Sequence, residues 1–349
     1  MDKEEPKHSR RIRYEGTHPR AFKDKYKELQ PDKYADTVAK VIQKGITPAG
    51  MHRSICVNEI LEFLQISPGQ VGLDATLGFG GHTLEMLKGL DSKGHLYAID
   101  VDPVELPRTR ERLESLGYGS DILTVKQMNF SDIDQLALES GPLNFVLADL
   151  GVSSMQIDNP ERGFSFKSEG PLDLRLNPEK GTSAADRLKT ISQEELQGML
   201  SENSDEPNAP VISRAIIAAI KKGKDIATTT ELQQIIKDAL QFIPENTRND
   251  EIKKSCQRCF QALRIDVNNE FEVLYEFLEK LPTILASGGR VAILSFHSGE
   301  DRLVKKSFKR FLNEGIYLEI ASDAIRPSSE ECNTNGRARS AKLRWAIKA

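Results

Sequence analysis

The sequence lacks an excess of positive charge. Across 349 residues, 48 Lys and Arg stand against 52 Asp and Glu, a net charge of −4. A protein that coats nucleic acid non-specifically is normally basic, so any such contact must rest on local patches. Cysteine is scarce: Cys56, Cys256, Cys259 and Cys332 make no disulfide framework in a chain this long. No apolar run reaches the roughly 18 residues of a membrane span, and the first residues, MDKEEPKHSRR, hold no apolar signal core. Neither membrane insertion nor secretion is expected, and the chain reads as cytoplasmic. Hydrophobic residues make up only 38%, yet that suffices for a sizeable core. At about 150 residues per domain the length suggests two domains, or one with a large insertion.

Residues 1–50 differ in character from the rest of the chain. They carry 12 Lys and Arg against 8 Asp and Glu, and Pro6, Pro19 and Pro31 interrupt any periodicity. A solvated, partly disordered arm is the plain expectation. An RNA-contacting arm is the alternative, since Arg10, Arg11, Arg13, Arg20 and Lys23 interleave with Tyr14, His18 and Phe22. From residue 51 a regular rhythm begins, in which short apolar strands alternate with helices. Strands are expected at Val71–Ala75, His95–Ile99, Ile122–Val125 and Leu143–Ala148, with helices between them. Such alternation implies parallel βαβ units and a doubly wound α/β sheet. Over residues 155–260 the rhythm stops. A loop (159–177) and three helices near 192–200, 211–222 and 230–240 read as a mainly helical insertion. Residues 261–349 resume the sheet with a helix over 270–285, a Ser287-Gly288-Gly289 turn, a strand over 290–296 and two closing strands.

The first strand runs into Gly78-Phe79-Gly80-Gly81-His82 and then a helix, and Asp100 ends the second strand 22 positions after Gly78. Glycines let a ligand lie against the main chain, and an acid at that strand tip can accept both hydroxyls of a ribose. Together they describe an adenosine site. The third glycine directly follows the second, so the dinucleotide pattern G-x-G-x-x-G is not met. That disfavours NAD or FAD and suits S-adenosylmethionine, which has adenosine but no phosphate. A tight βα turn without a ligand is the plain alternative.

Further blocks come in order: Asp149-Leu150-Gly151-Val152-Ser153-Ser154-Met155-Gln156, Arg162-Gly163-Phe164-Ser165-Phe166, Gly170-Pro171-Leu172-Asp173-Leu174-Arg175, Phe260-Gln261-Ala262-Leu263-Arg264, Ser295-Phe296-His297-Ser298 and Arg337-Ala338-Arg339-Ser340. With the glycine loop, this series resembles the bacterial 16S rRNA cytosine-N4 methyltransferase family, RsmH or MraW, over residues 52–347. The resemblance implies a class I, Rossmann-like S-adenosylmethionine-dependent methyltransferase with a helical insertion. It implies methylation of a cytidine, position 1402 in the family's name, in 16S rRNA of the small ribosomal subunit. It also implies cofactor contacts at Gly80, Gly81, His82, Asp100, Phe130, Asp149 and Gln156. Three places depart from the family's pattern, as a divergent second copy would: Gly299 in place of Leu, Lys254-Ser255-Cys256 in place of a His-Pro pair, and Ser204 to Asn208 in the insertion.

The residues themselves suggest where the chemistry sits. Asp149 ends the fourth strand without the two prolines and aromatic that many amine methyltransferases carry there, and is the first candidate to accept the amine hydrogen, with a cofactor contact alone as the alternative. His297 is the second catalytic candidate, for the proton, unless it caps the following helix beside Glu300 and Asp301. Phe130 could stack on adenine and Phe296 on a flipped cytosine. Asp173 and Arg175 lie in the long loop and are candidates for base or phosphate contact. Arg264 and Asn268, four apart on one helical face, suit either RNA contact or an internal pair. The C-terminal Arg337, Arg339, Lys342, Arg344 and Lys348 lack a neighbouring acid in sequence, which suggests phosphate binding, with a solvated face as the plain alternative. No metal is expected, because the lone C-x-x-C of Cys256 and Cys259 offers too few ligands for structural zinc. The alternatives are methylation of another RNA or a small amine, and a non-catalytic ribosome-assembly factor that keeps the cofactor site. The sequence leaves the oligomeric state open, a homodimer included.

Overall fold

The computed structural model describes residues 54–349; the basic arm and its expected RNA contacts lie outside them. The chain begins with α1 (Val57–Leu64) and then alternates: β1 (Val71–Asp74), α2 (Gly81–Leu90), β2 (His95–Asp100), α3 (Glu105–Ser115), β3 (Leu123–Gln127), α4 (Ile133–Ser140) and β4 (Leu143–Asp149). The short α5 (Ser154–Asp158) leads into a loop and then α6 (Ala184–Thr190), α7 (Gln193–Ser204), α8 (Ala209–Lys221), α9 (Thr229–Ala239) and α10 (Glu245–Asn268). The sheet resumes with α11 (Glu270–Ile284), β5 (Leu285–Ser295), α12 (Ser298–Asn313), β6 (Tyr317–Ile320), α13 (Ser329–Thr334) and β7 (Lys342–Lys348).

The seven strands lie in the order β3-β2-β1-β4-β5-β7-β6. β1 to β5 are parallel, and β7 runs antiparallel to both β5 and β6. This is the Rossmann-like α/β sheet that the resemblance implies, with the order reversing between β1 and β4. Side chains alternate between its faces as a period of two demands. Val146, Ala148, Val291 and Ile293 join one core with α4, α11 and α12. Phe145, Leu147, Ala292 and Leu294 join the other with α1, α2 and α3. In such sheets ligands bind beyond the carboxyl ends of the strands where the order reverses, which here means the tips of β1 and β4.

The helical insertion has its own core, built from Leu172 and Leu174 through Leu196, Ile212, Ile236, Phe260 and Leu263. α10 passes unbroken through residue 260, and Ala262 and Leu263 still belong to that core. We therefore place the return to the sheet domain at Asn269, the left-handed residue between α10 and α11. The expected Ser287-Gly288-Gly289 turn is a bulge within β5: Leu285 pairs with Leu143 and Arg290 with Phe145, with a register shift between them.

Candidate active site

Asp74, Asp100 and Asp149 stand at the ends of β1, β2 and β4 because each strand's apolar run stops on an acid. After β1 the chain turns through Gly78 and Gly80, both at positive φ, and a Cβ at Gly80 would come within 2.9 Å of Thr109 Cγ2. Asp74 is buried, accepts from the Thr83 hydroxyl at 2.6 Å and from the Thr76 amide at 3.1 Å, and so ties the glycine loop to the start of α2. Asp100 holds the loop from the other side. Its Oδ2 accepts from the Gly78 amide at 2.7 Å and its Oδ1 from the Asp102 amide at 2.9 Å. Burial pushes the Asp100 carboxyl up to about 6, opposed by those two amides and assisted by the charges of Asp102 and Asp74. Each oxygen has one bond of this kind, which leaves acceptor capacity for a pair of hydroxyls.

Asp149 is fixed by its backbone, whose amide donates to Thr76 Oγ1 at 2.6 Å. Its Oδ2 lies 3.5 Å from His82 Nδ1, and the other nitrogen of that buried imidazole sits 3.0 Å from the Ile55 carbonyl. Its Oδ1 is buried and has no hydrogen-bond partner among the described residues. Burial raises this carboxyl to about 6; His82 works against the rise, while Asp74 and Glu300 add to it. The side chain as a whole is 29% exposed, so this oxygen can accept a hydrogen bond from a donor that enters the site. Gly80, Gly81, His82, Asp100 and Asp149 thus converge on one edge. An adenosine-bearing, cationic group fits this set: hydroxyl acceptors at Asp100, glycine backbone at the turn, and a free anionic oxygen at Asp149.

Other candidates fall into two groups. Phe130 follows β3 at the same edge, half-buried, with its ring 4.9 Å from that of Phe277. Phe296 lies beside Gly151, just beyond β4. His297 caps α12: its Nδ1 faces the Glu300 amide at 3.5 Å, and its Nε2 stands 3.1 Å from Glu300 Oε1. Burial alone would raise Glu300, but bonding to His297, the charges of His297 and Arg264, and the Phe296 amide leave it below its usual range. The capping alternative is therefore the arrangement found.

Several polar candidates find partners within the protein. Gln156 closes a capping box with Ser153 and donates to Asp102 at 2.7 Å, so both ends of its amide are engaged. Arg264 pairs with Glu270 through two bonds of 2.7 and 2.8 Å, and Asn268 bonds the Leu174 and Arg264 carbonyls and the Leu176 amide. Arg175 grips Asp173 at 2.7 and 2.8 Å, with both side chains half-buried. In the C-terminal strip, Arg337 meets Asp158, and Lys342 and Arg344 share Asp301. These acids come from distant positions, so the strip is far less basic than its sequence suggests. Lys348 donates to the Pro282 carbonyl at 2.7 Å, and Arg339 alone of the five is exposed, with a long contact of 3.4 Å to the Cys332 carbonyl. Cys256 and Cys259 are buried in the insertion core, and burial first, then Glu206, pushes the Cys256 thiol up to about 12.

Sequence reasoning missed Asp102 and Arg162, a buried pair at 2.7 Å. The signal available was Asp102 two residues after Asp100, and an arginine between two loop prolines. The departure at Gly299 also has a physical reason, because a Cβ there would lie 2.5 Å from the Phe271 ring. Phe271 fills the space that a side chain at 299 would take.

A model of the MraW methylase family matches residues 49–349. The ribosomal RNA small subunit methyltransferase H 2 of Alkaliphilus metalliredigens is 83% identical over 349 residues, 100% of both chains. Methyltransferase H 1 of Lachnoclostridium phytofermentans is 70% identical, covering 100% of this chain and 95% of its own. Methyltransferase H of Koribacter versatilis is 40% identical, covering 85% and 94%. Among solved structures, a SAM-dependent O-methyltransferase from Thermotoga maritima matches at 10% identity with a TM-score of 0.39, covering 84% of this chain and 64% of that one. The chain belongs to the MraW methylase family.

Proposed function

We propose that this chain transfers a methyl group from S-adenosylmethionine to the exocyclic N4 of a cytidine in the rRNA of the small ribosomal subunit, acting in the cytoplasm. The names of its full-length relatives support the RNA class. One structural observation carries the chemistry: Asp149 presents a buried, unpartnered Oδ1 at the tip of β4, beside the glycine loop and Asp100.

S-adenosylmethionine supplies an electrophilic methyl on a sulfonium. Asp100 and the Gly78–Gly81 turn would hold its adenosine, and Asp149 lies where an amine must be oriented. The cytosine amine is a poor nucleophile because its lone pair is delocalised into the ring. A carboxylate oxygen that accepts one N–H turns that lone pair out of conjugation and toward the methyl. Nitrogen gains positive charge as it attacks, and a carboxyl held at about 6 is ionised at neutral pH yet basic enough to take a proton from it. His82 keeps the second oxygen in place. His297 already serves the start of α12, so Asp149 is the better proton acceptor. Phe296, at the same edge, offers a face for the extruded base.

The test is transfer of tritium from methyl-labelled S-adenosylmethionine to small ribosomal subunits that lack their native modification, with large subunits and free cytidine as parallel acceptors. Label in the small-subunit RNA alone supports the proposal. Label in another acceptor, or tight cofactor binding with no labelled RNA, removes it.

A further inference from the structure

The buried Asp102–Arg162 pair lies outside the chemistry yet joins the two halves of the molecule. Asp102 is 1% exposed and Arg162 6%. The Asp102 amide donates to Asp100 Oδ1, so Asp102 shares a two-residue turn with the acid assigned to the ribose. Its Oδ1 accepts from the Val104 amide at 2.8 Å, and its Oδ2 accepts from Gln156 Nε2 and Arg162 Nη1, each at 2.7 Å. The other arm of the Arg162 guanidinium reaches the opposite way. Nη2 donates to the Leu176 carbonyl at 2.8 Å and the Arg175 carbonyl at 3.2 Å. Asn268, at the end of α10, takes the Leu176 amide at 2.7 Å and donates to the Leu174 carbonyl at 2.8 Å. One planar side chain therefore fastens the turn that holds the cofactor acid to the loop that presents Asp173 and Arg175.

We infer that Arg162 is a positioning residue that couples cofactor binding to substrate binding, by locking the 173–176 loop onto the Asp100–Asp102 turn. This rests on the function proposed above. A guanidinium can serve an acid and two carbonyls at once because its donors form a rigid fork; a lysine ammonium in the same place is a point charge that cannot span both. Order imposed at Asp100 is then passed to the Arg175 backbone without a change of fold, and order imposed on the loop by RNA is passed back. Such coupling is reciprocal.

Spatial intermediacy alone does not establish coupling, so the test is a thermodynamic cycle. The affinity for S-adenosylhomocysteine is measured with and without saturating unmodified small subunits, in the wild type, in Arg162→Lys and in Asn268→Ala. Asn268 is half-buried at the far end of the loop, so the second variant serves if the first does not fold. The expected result is that subunits tighten S-adenosylhomocysteine at least about fivefold in the wild type, and less than about twofold in the variants. A merely structural role would weaken each ligand separately and leave the ratio unchanged. A ratio of one in the wild type, or equal ratios in all three proteins, overturns the inference. Methyl transfer that persists with a ratio of one overturns the coupling alone; absence of any subunit binding overturns the functional reading as well.

Discussion

Asp149→Asn should make the free protein more stable at pH 8 while removing its activity. The side chain keeps its shape, and its backbone bond to Thr76 is untouched. What changes is the charge. In the folded state this carboxyl sits at about 6 instead of 3.8, chiefly because burial disfavours the anion. A folded value raised above the unfolded one contributes stability that is complete below the unfolded value and lost as pH rises through the folded value. Above pH 6 the wild type therefore carries an unfavourable buried charge worth about 1–3 kcal/mol, at 1.36 kcal/mol for each pH unit. The amide has no charge to bury. Thermal unfolding without cofactor should give Asp149→Asn a midpoint a few degrees higher at pH 8, at about 2–4 °C per kcal/mol. The difference should shrink through pH 5 and vanish well below the unfolded value of 3.8, where the wild-type carboxyl is protonated in both states. Equal midpoints at pH 8, or a gain that persists unchanged in acid, would show that the Asp149 charge is not what limits stability there.

Other substitutions test other parts of the site. Asp100→Ala should weaken S-adenosylmethionine by about 100-fold or more in titration calorimetry, since each of two hydrogen bonds to a charged group contributes roughly 1.5–3 kcal/mol; unchanged affinity would remove Asp100 from the cofactor site. Gly299→Leu should destabilise by about 1–3 kcal/mol through overpacking against Phe271. Adding Phe271→Ala should recover most of that loss in urea unfolding, whereas additive losses would show that the two positions do not share one space. Phe277→Ala, a fully buried ring against Phe130, should cost about 3–5 kcal/mol. Because the Phe130 ring loses its support, cofactor affinity should fall too, and an unchanged affinity would leave Phe130 without a role there.

The sheet was legible because its strands are short apolar runs that end on acids, and because glycines punctuate the first turn. Boundaries within the insertion were less so. α10 is polar on much of its length, and its buried positions (Cys256, Cys259, Phe260 and Leu263 among them) are spread along the helix, so nothing in the local pattern stops it at residue 260. The site's acids could be read from their places at strand tips. The partners of the basic residues could not. Arg344 meets Asp301 across 43 positions, Arg337 meets Asp158 across 179, and Arg162 meets Asp102 across 60. A charge that looks free along the chain is neutralised when the fold returns a distant acid to its side. Gln156 shows the same limit: the sequence does not announce that both ends of its amide meet Ser153 and Asp102.

The most direct measurement is nucleoside mass spectrometry of unmodified small subunits after reaction with the wild-type protein and with Asp149→Asn, alongside the cofactor affinity of each. N4-methylcytidine should form at one site with the wild type. With Asp149→Asn the rate at saturating cofactor should fall by about 100-fold or more, beyond any loss of cofactor affinity. A different methylated nucleoside would exclude cytidine N4 as the acceptor, and undiminished N4-methylcytidine from the variant would exclude Asp149 as the proton acceptor.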